Sequence, residues 1–393
     1  MKYLVLTLVL STTALAASTV QAAGGVAPWR VVNNPPPVIG LDGKPHAASC
    51  SAYPGTDPTF RFWVRKGAPD KLAVVFNGGG ACWDDLTCSF PAGPRLPSQV
   101  PQFYTDAIRP GDGPQDIGGA LDATRADNPM RDFTVVFIPY CTGDLHGGSV
   151  TRSYNNVGHP VTSLPSQFDI QHRGFDNFMV VLDWIGRNVA PPNDLLVAGA
   201  SAGGYGAVIN FPWAAKLFPN ARLSVLADAS QGVSTPAFDT GLPGRGSWDL
   251  QLAPWAFGND PQALRSGELL RAAARAYPAA RFGQYTTTQD SVQSSFYAYM
   301  KAAYGPGGSC PRALPDWNQQ MLGTLASYST ELANFRSYVA PGDEHTILGS
   351  DAYYDTPSWG PRFADWLAAM LDPTAAGWAN AACPDCLVPL PCR

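Results

Sequence analysis

The chain has 393 residues, a formal net charge of −5, 15% charged residues and 45% hydrophobic ones. Acidic and basic residues are interspersed without any Lys/Arg run, which argues against a nucleic-acid partner. Gly (39) and Pro (37) are abundant but follow no period, so with this apolar fraction they indicate many ordered loops rather than disorder.

Residues 1–22 read MKYLVLTLVLSTTALAASTVQA, in which Lys2 precedes a short apolar run that ends in Val20-Gln21-Ala22. This is the pattern of a secretory signal peptide, and the run is too short to span a bilayer. The expectation is a secreted protein (extracellular or periplasmic), cleaved near Ala22, with 23–393 forming one domain. No later stretch has 18 uninterrupted apolar residues, so no membrane anchor is expected. The eight cysteines are Cys50, Cys82, Cys88, Cys141, Cys310, Cys383, Cys386 and Cys392. An even set in an exported chain reads as disulfides. Cys82 and Cys88 are spaced to close a short loop, and the last cysteines would pin the C-terminal tail. A zinc site at Cys383, Cys386 and Cys392 lacks a fourth ligand nearby, so no metal is expected.

Apolar runs at 60–64 and 72–76 read as strands buried on both faces. The second leads into FNGGGACWDDLTC, residues 76–88. A glycine-rich loop after an early strand can turn backbone N–H groups toward a developing oxyanion. No G-K-[ST] follows, so a phosphate-binding P-loop is excluded. The Pro/Gly-rich segment 90–130 breaks the alternation and reads either as an insertion shaping a cleft or lid, or as a surface excursion with no role. A strand at 133–138 precedes Tyr140-Cys141-Thr142-Gly143-Asp144-Leu145-His146-Gly147-Gly148, a third loop at a strand end. Its His-Gly-Gly superficially matches the oxyanion motif of lipases but follows a later strand than that motif should. A helical pattern covers 175–189. Strands at 195–198, 223–227, 282–288 and 335–339 follow, with helical patterns at 207–218 and 361–371. The alternation predicts an α/β fold, a mainly parallel sheet with helices on both faces.

The stretch Gly199-Ala200-Ser201-Ala202-Gly203 fits G-x-S-x-G between a strand and a helix. In that context the sharp turn lifts the serine hydroxyl clear of the sheet, and Ser201 is the candidate nucleophile. A serine needs a base, and only His345 follows Ser201, in Pro341-Gly342-Asp343-Glu344-His345 after the last strand. Two acids sit at strand ends between them: Asp228 in SVLADAS and Asp290 in QYTTTQDSVQ. The residues alone leave both open.

The segments FNGGGACW, NPMRDFTVVFIPYCTGDLHGG, GASAGGYGAV, LADASQG, TTTQDSVQ and VAPGDEHTIL, in that order, resemble the pectinacetylesterase–Notum family of serine esterases, closest to its bacterial branch. The resemblance runs from about residue 60 to 350. It implies an α/β-hydrolase fold, removal of O-acyl groups and no metal or organic cofactor. It implies Ser201 as nucleophile, Asp290 as acid, His345 as base, and the N–H groups of Gly79, Gly80 and Ala202 as oxyanion donors. Trp83, Asp144 and Asp228 are candidate cleft or supporting residues; Asp228 corresponds to a family position other than the catalytic acid. The sequence departs from the family where the acyl-site loop reads Gly-Gly-Gly-Ala with Trp83 beyond Cys82, and where TTQDSVQ replaces the plant-like YDxWQ.

The functional expectation is a monomeric, secreted serine carboxylesterase acting on an acylated polysaccharide or small ester, such as O-acetyl groups of pectin. The alternatives are an extracellular lipase or polyester depolymerase with the same residues, and a non-catalytic carbohydrate-binding homologue. The oxyanion loop and serine turn contain no large apolar residue, which favours short acyl groups.

Overall fold

The computed structural model describes residues 26–92, 101–158, 164–260, 263–375 and 377–392, so the leader expected at 1–22 lies outside the described residues. The central sheet has nine strands: β1 (Arg30–Asn33), β2 (Arg61–Arg65), β3 (Ala68–Phe76), β4 (Phe133–Ile138), β5 (Asp194–Ala200), β6 (Arg222–Asp228), β7 (Arg281–Thr287), β8 (Phe335–Ala340) and β9 (Ala381–Ala382). Their order is β1-β2-β4-β3-β5-β6-β7-β8-β9. β2 pairs antiparallel with both β1 and β4, and every other pairing in this sheet is parallel. The sheet is mainly parallel, as the alternation of elements predicts, and of the α/β-hydrolase type, as the family resemblance implies.

The central strands are buried on both faces, which explains their unbroken apolar character; β4, Phe-Thr-Val-Val-Phe-Ile, is buried throughout. Helices α1 (Gly174–Asn188) and α2 (Ala202–Leu217) cover one face. Phe76 of β3 meets Phe178 of α1, and Phe282 of β7 meets Phe211 of α2. The next residue along β7, Gly283, points the opposite way against Trp366 and Met370 of α6 (Phe363–Leu371). Three further helices, α3 (Leu269–Ala276), α4 (Ser291–Tyr304) and α5 (Ala313–Glu331), were not expected from the sequence. The apolar stripes of α4 and α5 are interrupted by Ser, Gln and Asn, so periodicity alone is weak there.

Four disulfides join Cys50 to Cys141, Cys82 to Cys88, Cys310 to Cys392 and Cys383 to Cys386. The tail is therefore tied to the loop before α5. The 90–130 segment is not idle. The N–H groups of Ala81 and Thr105 bond the carbonyls of Phe103 and Gly79, so the insertion pairs with the glycine loop. Its 111–121 part also walls a cavity of about 1050 Å³, open solvent at its mouth included, against strand-end residues that include Val75, Ala198 and Ala200. No helix among the described residues is long and apolar enough to cross a membrane.

Candidate active site

Ser201 sits where β5 turns into α2, at φ 57° and ψ −125°, backbone angles that a non-glycine residue rarely adopts. The turn is held from outside: the Ser201 N–H donates to the Asp228 carbonyl (2.8 Å), and the Ser230 hydroxyl donates to the Ser201 carbonyl (2.8 Å). The flanking glycines are steric necessities. A Cβ on Gly199 would run into the Gly203 carbonyl, and one on Gly203 into the carbonyl of Phe76. The G-x-S-x-G pattern thus reflects β5, α2 and β3 meeting with no room for side chains.

His345 stands in the loop after β8, its side chain 16% exposed. Its Nδ1 lies 2.9 Å from both carboxylate oxygens of Asp290. Its Nε2 is buried and has no partner among the described residues. Ser201 and His345 line one cavity. Asp290 caps α4: Oδ1 accepts from the N–H groups of Val292 (3.1 Å) and Gln293 (2.8 Å), and Oδ2 from the Gln293 amide (2.8 Å). These bonds satisfy donors of the first turn of α4 and fix the direction of the Asp290 side chain.

Asp228, the other acid left open by the sequence, makes no bond to His345. Its Oδ2 accepts from the N–H groups of Ile347 and Leu348, both at 2.8 Å, while Oδ1 is buried without a partner among the described residues. Burial pushes its carboxyl up to about 7 against the pull of those two amides. Asp228 thus fixes the loop that carries His345, and its own carbonyl holds Ser201.

Gly80 and Ala202 line the cavity beside Ser201, and the N–H of neither is taken by an acceptor among the described residues. Gly79 is not in the cavity wall; it packs against Tyr140 and Thr105 at φ 155°. Trp83 is fully buried in that wall, edge-on to Phe238 and Trp248. Asp144 lies outside it. The Asp144 carboxylate accepts from the Thr142 hydroxyl (2.6 Å) and the Gly174 N–H (2.7 Å), joining the 140–148 loop to the start of α1. His146, from the same loop, is a core residue. Its Nε2 bonds the Asn77 carbonyl at 2.9 Å, and burial drops its pKa to about 4.

The cavity has a volume of about 600 Å³ including its mouth. Its wall is mostly apolar and contains Val233, Phe238, Trp248, Phe296, Met300 and Trp317. The sequence reading of small residues in the oxyanion loop and serine turn did not include this apolar wall. The two loops nearest Ser201 are indeed small, but α4, α5 and the 233–248 segment supply the wall from far along the chain. Gln293 also lines the cavity while it bonds Asp290, and sequence reasoning missed it; its place three residues after the helix cap was the available signal. Cys82, Cys88 and His172 are close enough to suggest a metal, but both sulfurs are in the disulfide and His172 is engaged by Tyr154 and the Thr142 carbonyl.

A family model described as Pectinacetylesterase matches residues 44–238. Palmitoleoyl-protein carboxylesterase NOTUM from Mus musculus is 31% identical over 117 residues, 28% of this chain and 21% of that protein. Palmitoleoyl-protein carboxylesterase notum2 from Xenopus laevis is 24% identical over 161 residues, 40% of this chain and 29% of that protein. The matches thus span less than a third of these relatives' length. The solved structure of the Wnt deacylase Notum from Drosophila superposes with a TM-score of 0.56 at 18% identity, covering 88% of this chain and 96% of that one. At that identity the likeness is one of fold.

Proposed function

The chain belongs to the pectinacetylesterase–Notum family, a family of esterases, and we propose that it is a secreted serine esterase that removes O-acyl groups. The observation that carries the reading is the His345–Asp290 pair, with Nδ1 2.9 Å from both oxygens and Nε2 without a partner among the described residues, on the cavity that the strained Ser201 also lines.

In this mechanism His345 Nε2 takes the Ser201 proton as the hydroxyl oxygen attacks the ester carbonyl. Asp290 accepts the Nδ1 proton in a hydrogen bond, which fixes the tautomer and stabilises the imidazolium. The N–H groups of Gly80 and Ala202, with Gly79 as the family pattern implies, hold the oxyanion. The imidazolium returns its proton to the departing alkoxide, leaving an acyl-Ser201. Water then attacks that ester, gives a proton to His345, and the carboxylic acid leaves as the Ser201 hydroxyl is restored.

The acyl group admits two readings. The matching family model favours O-acetyl groups on a polysaccharide such as pectin. The cavity favours a longer apolar acyl chain, because each buried CH₂ contributes about 0.8 kcal/mol to binding. Secretion is supported by four disulfides, which persist in oxidising compartments. The test is kcat/KM on 4-nitrophenyl acetate, butyrate, octanoate and palmitate, alongside acetate release from pectin and xylan. A maximum at octanoate or longer with no acetate release rejects the deacetylase reading. No turnover of any ester, and no labelling of Ser201 by a fluorophosphonate, rejects the esterase itself.

A further inference from the structure

We infer that Gln293 and Gln231 form a carboxamide clamp that positions Asp290 for the proposed reaction, and the inference rests on that reading of Ser201, His345 and Asp290.

Gln293 touches Asp290 twice. Its backbone N–H donates to Oδ1 at 2.8 Å and its side-chain Nε2 to Oδ2 at 2.8 Å. One residue thus grips both oxygens that face His345. The amide orientation follows from its neighbours. The Gln231 N–H, which can only donate, points at Gln293 Oε1 at 3.0 Å, so that atom is the oxygen and the other end the nitrogen. The same nitrogen donates to Gln231 Oε1 at 2.6 Å. Gln231 is fixed in turn, because its Nε2 donates to the Tyr285 carbonyl at 2.8 Å. Each end of both amides therefore has a partner of the correct sense.

The clamp connects elements distant in sequence. Gln231 follows β6, three residues after Asp228, and is fully buried. Tyr285 belongs to β7, whose end carries Asp290. The carboxylate is thereby indexed to two adjacent strands of the sheet as well as to the first turn of α4. Without the side-chain donors, Asp290 could rotate about χ2, so that one oxygen rather than both would face Nδ1. His345 would then lose its orientation toward Ser201. Gln293 also forms part of the wall of the cavity that Ser201 and His345 line.

The experiment compares wild type with Gln293→Leu, Gln293→Glu and Gln231→Leu on one 4-nitrophenyl ester, with Ser201→Ala as reference. Gln231→Leu does not alter the cavity wall. Both leucine variants should lower kcat about 10- to 100-fold, as expected for a misplaced catalytic group, with KM within about threefold for Gln231→Leu. Gln293→Glu puts a negative charge beside Asp290, stabilises the imidazolium and moves the acidic limb of the kcat/KM profile to higher pH. The low-field proton resonance of the His345 Nδ1–H should shift in all three. A loss of Tm with kcat, the acidic limb and that resonance unchanged would make the clamp merely structural and overturn the inference. If Ser201→Ala itself retains activity, the parent reading has failed instead.

Discussion

Ser201, Asp290 and Asp228 differ in what each group touches, and their variants should differ accordingly. Ser201→Ala removes the hydroxyl without disturbing the turn, and turnover should fall by 10³-fold or more while Tm stays near wild type. Activity above a tenth of wild type would contradict its role as nucleophile. Asp290→Asn leaves the cap of α4 partly intact but can no longer enforce the His345 tautomer. A kcat loss of roughly 10²- to 10⁴-fold is expected, far larger than for Asp228→Asn. Asp228 instead makes a pH-dependent contribution to stability. Burial raises its folded pKa to about 7, above the ordinary carboxyl value, so the folded state binds the proton more tightly than the unfolded chain. The associated stability is present at low pH and is lost as pH rises toward 7. An asparagine does not titrate, so the Tm of Asp228→Asn minus that of wild type should increase between pH 4 and pH 8. A difference that is flat with pH would show that Asp228 does not titrate in this range.

Two elements carry the site's shape. The first is the glycine loop after β3, closed by Cys82–Cys88 and tied down by the Ala81 N–H to Phe103 and the Cys82 N–H to Gly143. A six-residue spacing makes the loop-closure contribution modest, about 2 kcal/mol, so the disulfide should matter more for keeping Gly80 in place than for global stability. Replacing both Cys82 and Cys88 by alanine should lower kcat before far-UV helix content changes on warming; helix loss preceding activity loss would refute this. The second is α4, which caps itself with Asp290 and turns Val292, Phe296 and Met300 to the cavity. Met300→Ala should enlarge the cavity and move the optimal acyl length upward. An unchanged chain-length profile would mean that the acyl group lies elsewhere.

At the scale of the whole molecule, the sheet order brings three distant chain segments to one edge. β5, β7 and β8 deliver Ser201, Asp290 and His345 at their carboxyl ends, and β3 delivers the glycine loop from the other side of β5. All eight cysteines are paired, so the denatured, non-reduced protein should show no reactive thiol. A stoichiometric free thiol would contradict both the pairing and the proposed export.

The sequence by itself determined most of the strand-and-helix alternation and singled out Ser201 and His345 as candidates. Each depends on short-range physics: apolar runs, glycines where a Cβ would collide, and a histidine that alone follows the serine. It left Asp228 and Asp290 open, because both end a strand and a one-dimensional pattern does not record which carboxylate meets an imidazole 55 or 117 residues away. Tertiary structure decided that contact: β7 lies beside β8, so Asp290 reaches His345, while Asp228 turns to the amides of Ile347 and Leu348. It also decided the character of the cavity. Phe238, Trp248, Phe296 and Trp317 converge on Ser201 from 37 to 116 residues away, through packing that no local periodicity encodes. The same holds for the clamp, where Gln231 and Gln293 are ordinary polar residues until adjacent strands place their amides in register.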